Sequence, residues 1–461
     1  MSFKNSIIVW LEDHYENMPP ILTKIVGLIG NSLSYNIRYG KEFNKTIKEL
    51  KRTEYLSRQE LDAIVLSKLL TQVNYAYDHV PYYKERYRDF DIRSIHSLED
   101  FAKLPLIDKS IVKANENQFI SDIFDKKDLI LKKTSGSTGM PLGIYMNKNT
   151  TQIEWAFVVH IWERIGFNHR SSRLVMREID QKKKGDCYFD YIKNRLRINI
   201  SNMTDEKMAE YCRAIEKYRP DFIQGYPSAT LQLCKYIEQN GINHQFKGFL
   251  PSSEGMGHEE VEYIRKVLNC PILSFYGHTE RLLIAGQCEK SEAYHVEPLY
   301  GYCELVDESG NIIEEEGVTG EVVATGFCNT GMPLIRYRTG DLAQWSFEKC
   351  SCGRNYRLLK RLEGRTTEYL VDANGNKIAL TSLRYSFYEQ HVKAFQFYQD
   401  TPGYVTVRII IEPEYSYDDE QYIQNTLTED TNNLITFRLK KTDVLSKKKS
   451  GKRELIVQAI K

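Results

Sequence analysis

Apolar residues in the first quarter of the chain recur at steps of three and four positions. The clearest stripe consists of Leu61, Ile64, Val65, Leu69, Val73 and Tyr77. This spacing is that of one helix face, so it predicts a helix that packs on a core. We expect residues 1–125 to be helical, and we interpret the tyrosines near position 80 as half-buried packing side chains.

Short apolar runs alternate with amphipathic segments between residues 130 and 290. The runs that we predict as strands are Leu174–Met176, Phe222–Tyr226, Phe249–Leu250 and Ile272–Tyr276. The segments that we predict as helices are Thr204–Tyr218, Ser228–Asn240 and the stripe of Val261, Ile264 and Leu268. This alternation is typical of an α/β unit with a largely parallel sheet.

The pattern changes to paired strands beyond residue 300. Tyr302–Asp307 and Glu321–Gly326 flank a turn at Glu308–Asn311, and the three together predict a β-meander. A second break follows some 40 residues later, before more strand-like segments. We therefore predict an α/β protein with a large multi-sheet N-terminal domain, residues 1–362, and a small mobile α+β lid, residues 363–461.

Composition and charge narrow the class of protein. The chain has 63 Lys and Arg residues against 62 Asp and Glu, so we do not expect nucleic acid as a partner. The apolar stretch Ile21–Leu33 contains Lys24 and is too short to cross a bilayer. Peripheral attachment through this stretch is an alternative, but we do not expect membrane association. No signal peptide is recognisable, and nine cysteines are typical of reduced thiols, so we expect a cytoplasmic protein.

A loop rich in hydroxyls and glycines follows the apolar run Leu129–Leu131. It reads Lys-Thr-Ser-Gly-Ser-Thr-Gly-Met-Pro-Leu-Gly over residues 133–143. Glycines let backbone N–H groups approach an oxyanion, so the loop is suited to phosphate oxygens. It lacks the Gly-Lys-Ser/Thr ending of the common nucleotide P-loop. Taken alone, such a stretch is equally compatible with a flexible surface loop.

Four further segments stand in a fixed order after this loop. They are Tyr276-Gly277-His278-Thr279-Glu280, Arg336-Tyr337-Arg338-Thr339-Gly340-Asp341, Gly364-Arg365 and Ser450-Gly451-Lys452-Arg453. The ordered set resembles the motifs of the acyl-adenylate-forming superfamily. Gly225-Tyr226-Pro227-Ser228, Ser252-Ser253-Glu254 and His79-Val80-Pro81-Tyr82-Tyr83 are most similar to its phenylacetate-CoA ligase branch, which includes CapK-like proteins of capsular polysaccharide biosynthesis.

The resemblance implies an AMP-forming ligase that uses ATP and Mg²⁺. A carboxylate attacks the α-phosphate, and a thiol or amine acceptor, CoA among the candidates, then takes the acyl group. Lys452, Glu280 and Thr279 are the implied catalytic residues, with Glu280 holding Mg²⁺. The implied nucleotide-binding residues are Thr134, Ser135, Gly136, Ser137, Thr138, Gly139, Ser253, Glu254, Tyr276, Gly277, His278, Asp341 and Arg365. The alternative is a non-catalytic nucleotide-binding assembly protein of the same fold.

Two departures from the family pattern affect the loop and the hinge. Leu142 stands where many superfamily members have Lys, so the loop depends on N–H groups, hydroxyls and metal. Thr366-Thr367-Glu368 stands where the branch usually has Asp residues, which leaves the position of the hinge open. The identity of the acid, the acceptor and the oligomeric state are not readable from the sequence.

One group of cysteines predicts a metal site. Cys288 and His295 lie upstream of Cys350 and Cys352, and three thiolates with one imidazole form a complete tetrahedral set for a structural Zn²⁺. The alternative is that these cysteines are small buried apolar residues. Similar cysteines in phenylacetate-ligase relatives favour zinc.

Overall fold

The apolar stripes of the sequence become helices that each bury one face. The computed structural model describes residues 22–27, 39–133, 142–178, 185–201, 203–252, 256, 258–365, 369–380, 383, 387, 390–446 and 454–460. Residues 22–27 form a short helical segment. The longer helices and helical turns are α1 Lys41–Thr53, α2 Arg58–His79, α3 Pro81–Arg86, α4 Leu98–Phe101, α5 Lys109–Ala114, α6 Thr150–Glu163, α7 Asp205–Tyr218, α8 Pro227–Asn240, α9 His258–Leu268 and α10 Tyr417–Asp430.

Helix α2 contains the predicted apolar stripe. A capping box starts it, in which Ser57 accepts from the Glu60 N–H and the Glu60 carboxylate accepts from the Ser57 N–H. Leu69 and Val73 from the stripe are buried in the core. Tyrosines after the helix lie deeper than we predicted. Tyr83 is fully buried, and its hydroxyl accepts the Ile335 N–H at 2.9 Å.

A hairpin and a five-stranded sheet follow. The hairpin strands are β1 Ile130–Lys133 and β2 Gly143–Met146. The sheet strands are β3 Arg173–Arg177, β4 Cys187–Asp190, β5 Arg195–Asn199, β6 Phe222–Gly225 and β7 Gly248–Pro251, in the order β4-β5-β3-β6-β7. The ladders are parallel except between β4 and β5. Ile223 and Phe249 face a core that includes side chains of α7, α8 and α9, whereas Phe222 and Leu250 face one that includes side chains of α1 and α6. Both faces are covered, as parallel sheets require, and the predicted α/β class is confirmed.

A seven-stranded antiparallel sheet carries the strands of the next 90 residues. Its strands are β8 Phe275–Gly277, β9 Ile284–Gly286, β10 Tyr294–Val296, β11 Gly301–Val306, β12 Thr319–Gly326, β13 Tyr337–Ser346 and β14 Leu358–Arg365, in the order β11-β12-β13-β14-β10-β9-β8. The predicted meander is confirmed as β11 and β12. The predicted strand Ile272–Tyr276 is confirmed only in part, because Ile272 forms a single parallel bridge to Phe249 and the strand that begins at Phe275 belongs to the antiparallel sheet.

The C-terminal region has its own core. Its strands are β15 Tyr369–Val371, β16 Lys377–Ala379, β17 Val392–Thr401, β18 Tyr404–Ile411, β19 Thr436–Lys441 and β20 Ile456–Gln458. Strands β19-β18-β17-β20 form a four-stranded sheet against α10, with Phe397 and Leu427 in the shared core. The predicted boundary after residue 362 falls within β14, whose last pair joins Arg365 to Asp341. The exact domain division stays a prediction. Among the described helices, none combines the length and apolar composition needed to cross a membrane.

Candidate active site

The structure brings Tyr276 and Asp341 together, although 65 residues separate them in the chain. Tyr276 lies on β8 at one edge of the antiparallel sheet, and Asp341 lies in the middle of β13. The Tyr276 hydroxyl donates to Oδ2 of Asp341 at 2.7 Å. Burial, and then the adjacent carboxylate, raises the pKa of the phenol well above its usual range, so the hydroxyl keeps its proton. Two segments predicted to bind one nucleotide therefore meet directly.

Asp341 is held by the bend that precedes it. Its N–H donates to the Thr339 hydroxyl at 3.1 Å, and that hydroxyl donates to the Val322 carbonyl at 2.8 Å. Gly340 has a φ of 75°, a region that glycine enters without steric cost, and its N–H donates to the Glu321 carboxylate at 3.0 Å. These bonds fix the direction of a carboxylate that is 8% exposed.

Glu280 lies in the turn that follows β8. The Arg281 N–H donates to the His278 carbonyl at 3.1 Å, which places Thr279 and Glu280 at the corner of the turn. The Tyr337 hydroxyl donates to Oε1 of Glu280 at 3.3 Å. No role was predicted for Tyr337, although it stands in the motif of residues 336–341. Its contact with Glu280 spans 57 residues, so only its place in that motif could have indicated it.

Several predicted residues lie outside the described part of the chain. They are Thr134, Ser135, Gly136, Ser137, Thr138, Gly139, Ser253, Glu254 and Lys452, and for Arg365 only the backbone is described. The structure does describe the flanks of the loop, since Lys133 pairs with Gly143 in the β1–β2 hairpin. His278 and Gly277 are described beside Tyr276, and the rings of Tyr276 and His278 are 5.7 Å apart.

Arg177, for which no role was predicted from the sequence, lies at the carboxyl ends of the parallel strands. The Arg177 guanidinium is 4.3 Å from the centre of the Tyr226 ring and donates to the Ser252 hydroxyl at 2.7 Å. These three residues end or follow β3, β6 and β7. The strand order changes direction at β3, and ligands of open α/β sheets bind in the crevice at such a point. The feature of the sequence that could have indicated Arg177 is its position directly after the predicted strand Leu174–Met176.

The four predicted metal ligands come together. Sγ of Cys288 is 3.5 Å from Sγ of Cys350, and Sγ of Cys352 is 3.3 Å from Nε2 of His295. All four ligand atoms lie within 4.8 Å of one another. Tetrahedral zinc bonds of roughly 2.0–2.3 Å place ligand atoms roughly 3.5 Å apart, so this set fits the ion.

The charges around the four ligands favour a neutral imidazole. Burial, followed by the cations Arg164 and Arg354, lowers the pKa of His295 to about 4. Burial by itself raises the pKa of the Cys352 thiol. Hydrogen bonds to the main chain and the side chain of Arg354 outweigh burial and lower this pKa. Burial raises the pKa of the Cys288 and Cys350 thiols. Zinc binds thiolates, so metal binding at this cluster releases the protons that its thiols carry.

Comparisons with known proteins show what the chain is similar to. The model of the CapK C-terminal domain matches residues 370–459. Protein CapK of Staphylococcus aureus is 24% identical over 411 residues, which cover 86% of this chain and 88% of that protein. Phenylacetate-coenzyme A ligase of Pseudomonas putida is 26% identical over 314 residues, which cover 66% of this chain and 71% of the ligase. The chain thus resembles the phenylacetate-CoA ligase and CapK branch of the acyl-adenylate-forming superfamily over most of its length.

A solved structure shares the fold of this AMP-forming ligase. A crystal structure of 2-hydroxyisobutyryl-CoA ligase in the postadenylation state has a TM-score of 0.71 and 14% sequence identity. The alignment covers 88% of this chain and 91% of that chain. The order of the large N-terminal region and the small C-terminal sheet is therefore shared by a protein with little sequence similarity.

Proposed function

We propose that this protein activates a carboxylic acid with ATP and transfers the acyl group to a thiol or amine. One carboxylate oxygen of the acid attacks the α-phosphorus of ATP, the bond to the leaving oxygen breaks, and pyrophosphate departs. The acceptor then attacks the acyl carbon, loses its proton, and releases AMP. The observation that carries the proposal is the hydrogen bond between Tyr276 and Asp341, because it joins two motifs that the family uses for one nucleotide.

Charge neutralisation and alignment are the main needs of this reaction, since both reacting groups are anions. Glu280 is suited to hold Mg²⁺, which prefers oxygen ligands and supplies positive charge to the phosphates when bound. Asp341 accepts hydrogen bonds from the ribose hydroxyls, and Tyr276 and the segment from Ser252 to Glu254 flank adenine. Thr279, the loop of residues 134–139 and Arg365 contact the nucleotide, and Lys452 brings its charge to the α-phosphate.

A role in capsular or other cell-surface polysaccharide biosynthesis is the finer part of the proposal. The similarity to CapK over 86% of the chain and the match of the CapK C-terminal domain support it. Polysaccharide building blocks offer both carboxylates and amines, so an amine on a sugar or amino acid is a chemically suitable acceptor beside CoA. The acid and the acceptor are small molecules in this proposal.

The proposal also assigns one structural Zn²⁺ to Cys288, His295, Cys350 and Cys352. Four protein ligands leave no open position, so the ion stabilises the fold and takes no part in acyl transfer. Support comes from the separation of the four ligand atoms, none of which is more than 4.8 Å from another.

Pyrophosphate release with a panel of carboxylic acids tests the enzymatic proposal. The panel holds aryl acetates, hydroxy acids, sugar acids and amino acids, each with ATP and Mg²⁺. We expect release with at least one acid, and a loss of at least about 100-fold in Glu280→Gln and in Lys452→Ala. Glu163→Gln, on the surface of α6, is the matched control and should keep full activity.

Two results would contradict these assignments. Equal release by the wild type, Glu280→Gln and Lys452→Ala removes the residue roles. Tight ATP or AMP binding with no pyrophosphate exchange for any acid favours the non-catalytic assembly protein instead. If release occurs, mass spectrometry of the product formed with CoA, or with a sugar or amino-acid amine, as the acceptor separates thioester formation from amine transfer.

A further inference from the structure

The turn that carries Glu280 ends in a strained residue. Arg281 has a φ of 57°, in the left-handed region that residues other than Gly, Asn and Asp rarely enter. Such a conformation persists only where the surroundings hold it, and it is concentrated at functional sites. Arg281 directly follows the residue proposed to bind Mg²⁺. What holds Arg281 therefore also fixes where Glu280 points.

Two glycines hold the backbone on one side. A Cβ atom on Gly326 would lie 3.0 Å from the Arg281 carbonyl oxygen, and one on Gly301 would lie 1.8 Å from the Leu282 carbonyl oxygen. The chain after the turn is thus pressed against β11 and β12 with no room for a side chain. These contacts restrict the backbone at residues 281 and 282, but they do not reach the side chain of Arg281.

An ion pair holds the side chain on the other side. The Arg281 guanidinium is 2.7 Å from the Glu154 carboxylate and 3.4 Å from the Thr151 hydroxyl, and both partners lie on α6. The side chains of Arg281 and Glu154 are 13% and 26% exposed, so water screens the pair only in part. Burial raises the pKa of Glu154, whereas Arg281 and Lys132 oppose that rise.

The ion pair joins two parts of the proposed ATP site. Helix α6 begins four residues after β2, and the β1–β2 hairpin flanks the proposed phosphate loop. Lys132 is on β1 of that hairpin. A displacement of α6 relative to β8 would change the distance between the β1–β2 hairpin and Glu280 in the proposed ATP site.

We propose that Arg281 and Glu154 are positioning residues, which set Glu280 relative to helix α6 and the β1–β2 hairpin through their ion pair. The inference rests on the proposed role of Glu280 in binding Mg²⁺. Partners outside the ligand shell that orient a metal ligand typically change metal affinity by about 10- to 100-fold when they are removed. Loss of the pair should therefore weaken Mg²⁺ binding to the enzyme–ATP site more than it weakens nucleotide binding.

The test is the Mg²⁺ dependence of pyrophosphate release at fixed ATP, in the full-length protein. Glu154→Gln keeps the shape of the side chain and removes its charge, and we expect it to raise the Mg²⁺ concentration for half-maximal rate about tenfold. Arg281→Gly keeps a backbone that accepts the left-handed conformation, and it should give a similar shift. The double variant should add little to either single one, because both remove the same contact. Arg281→Lys should recover part of the shift.

Controls separate this inference from folding and from the proposed function. Glu163→Gln on the same helix, which breaks only the pair with Lys51 on α1, should leave the Mg²⁺ dependence unchanged. AMP affinity without Mg²⁺ should stay within about twofold in Glu154→Gln. A lower rate with an unshifted Mg²⁺ midpoint in both single variants overturns the positioning role. Wild-type behaviour of Glu280→Gln overturns the proposed role of Glu280 on which this inference rests, whereas absence of pyrophosphate release with every acid overturns the proposed function itself.

Discussion

The Glu54 carboxylate contacts side chains from two other segments of the chain. Arg354 donates to its carboxylate from the loop of the cysteine cluster, at 2.9 Å through Nε. Nε2 of His160, which is 3% exposed on α6, lies 3.4 Å from the other carboxylate oxygen. Burial by itself raises the pKa of Glu54, but the hydrogen bonds and charges of His160 and Arg354 lower it from 4.5 to about 2. The ionised carboxylate therefore stabilises the folded state.

The pH dependence of stability checks this role. Because the pKa of Glu54 is lower in the folded state, its contribution is fully present above pH 4.5 and is lost as the pH falls toward 2. At pH 7, Glu54→Gln should lower the free energy of unfolding by about 1–3 kcal/mol. Thermal unfolding at pH 7, 4.5 and 3 should show the gap to the wild type closing as the pH falls. A gap that is constant across this range contradicts the assignment, and Asp62→Asn, in an exposed pair with Arg58, should cost less than about 1 kcal/mol.

Candidate site residues could be predicted from the sequence where they stand in a short local motif. They could not be predicted where the contact joins segments that are far apart in the chain. Tyr276, Glu280 and Asp341 were predicted as site residues because each stands in a short ordered motif. Glu154 and Arg177 were missed because their partners lie on other elements, at sequence separations of 127 and 75 that no periodicity reveals. The direction of a strand is limited in the same way. From the sequence β8 is expected to be a parallel strand, and only the fold shows its antiparallel partner β9.

At the scale of elements, the cysteine cluster joins two loops of the antiparallel sheet. Cys288 follows β9 and His295 lies on β10, whereas Cys350 and Cys352 lie between β13 and β14. Strand β10 pairs β14 through only two residue pairs, Tyr294–Leu359 and His295–Leu358. A metal ion at the end of so short a ladder would supply much of its stability.

Metal removal tests the zinc proposal. Purified protein should contain about one zinc per chain by elemental analysis, and Cys288→Ser or Cys352→Ser should bring this close to zero with a drop in Tm of about 5 °C. Cys187→Ser, at a cysteine on β4 outside the cluster, should change neither value. The folded Cys288→Ser protein should retain pyrophosphate release at low temperature, because the four-ligand site has no open position. Full zinc content in both cluster variants contradicts the ligand set.

At the scale of the whole molecule, an ion pair connects the two regions of the chain. Lys235 on α8 contacts the carboxylate of Glu412, the residue directly after β18. Their side chains are 19% and 24% exposed. The main-chain N–H of Glu412 donates to the His391 carbonyl at 2.8 Å, so the carboxylate is presented from a fixed backbone. The pair favours the arrangement in which the end of β18 lies next to α8, which we call docked.

Charge reversal measures how much this contact contributes. A partly exposed pair is worth about 1 kcal/mol, which corresponds to about a fivefold change in the equilibrium between docked and undocked arrangements. Lys235→Glu should lower the ratio of docked to undocked molecules by at least this factor, as read from energy transfer between one dye on α7 and one on α10. The double variant Lys235→Glu with Glu412→Lys should restore this ratio, because the two opposite charges attract again with their positions exchanged. If the double variant behaves like the single variant, the contact does not govern docking. Salt should shrink the difference between wild type and Lys235→Glu, since screening weakens the attraction and the repulsion alike.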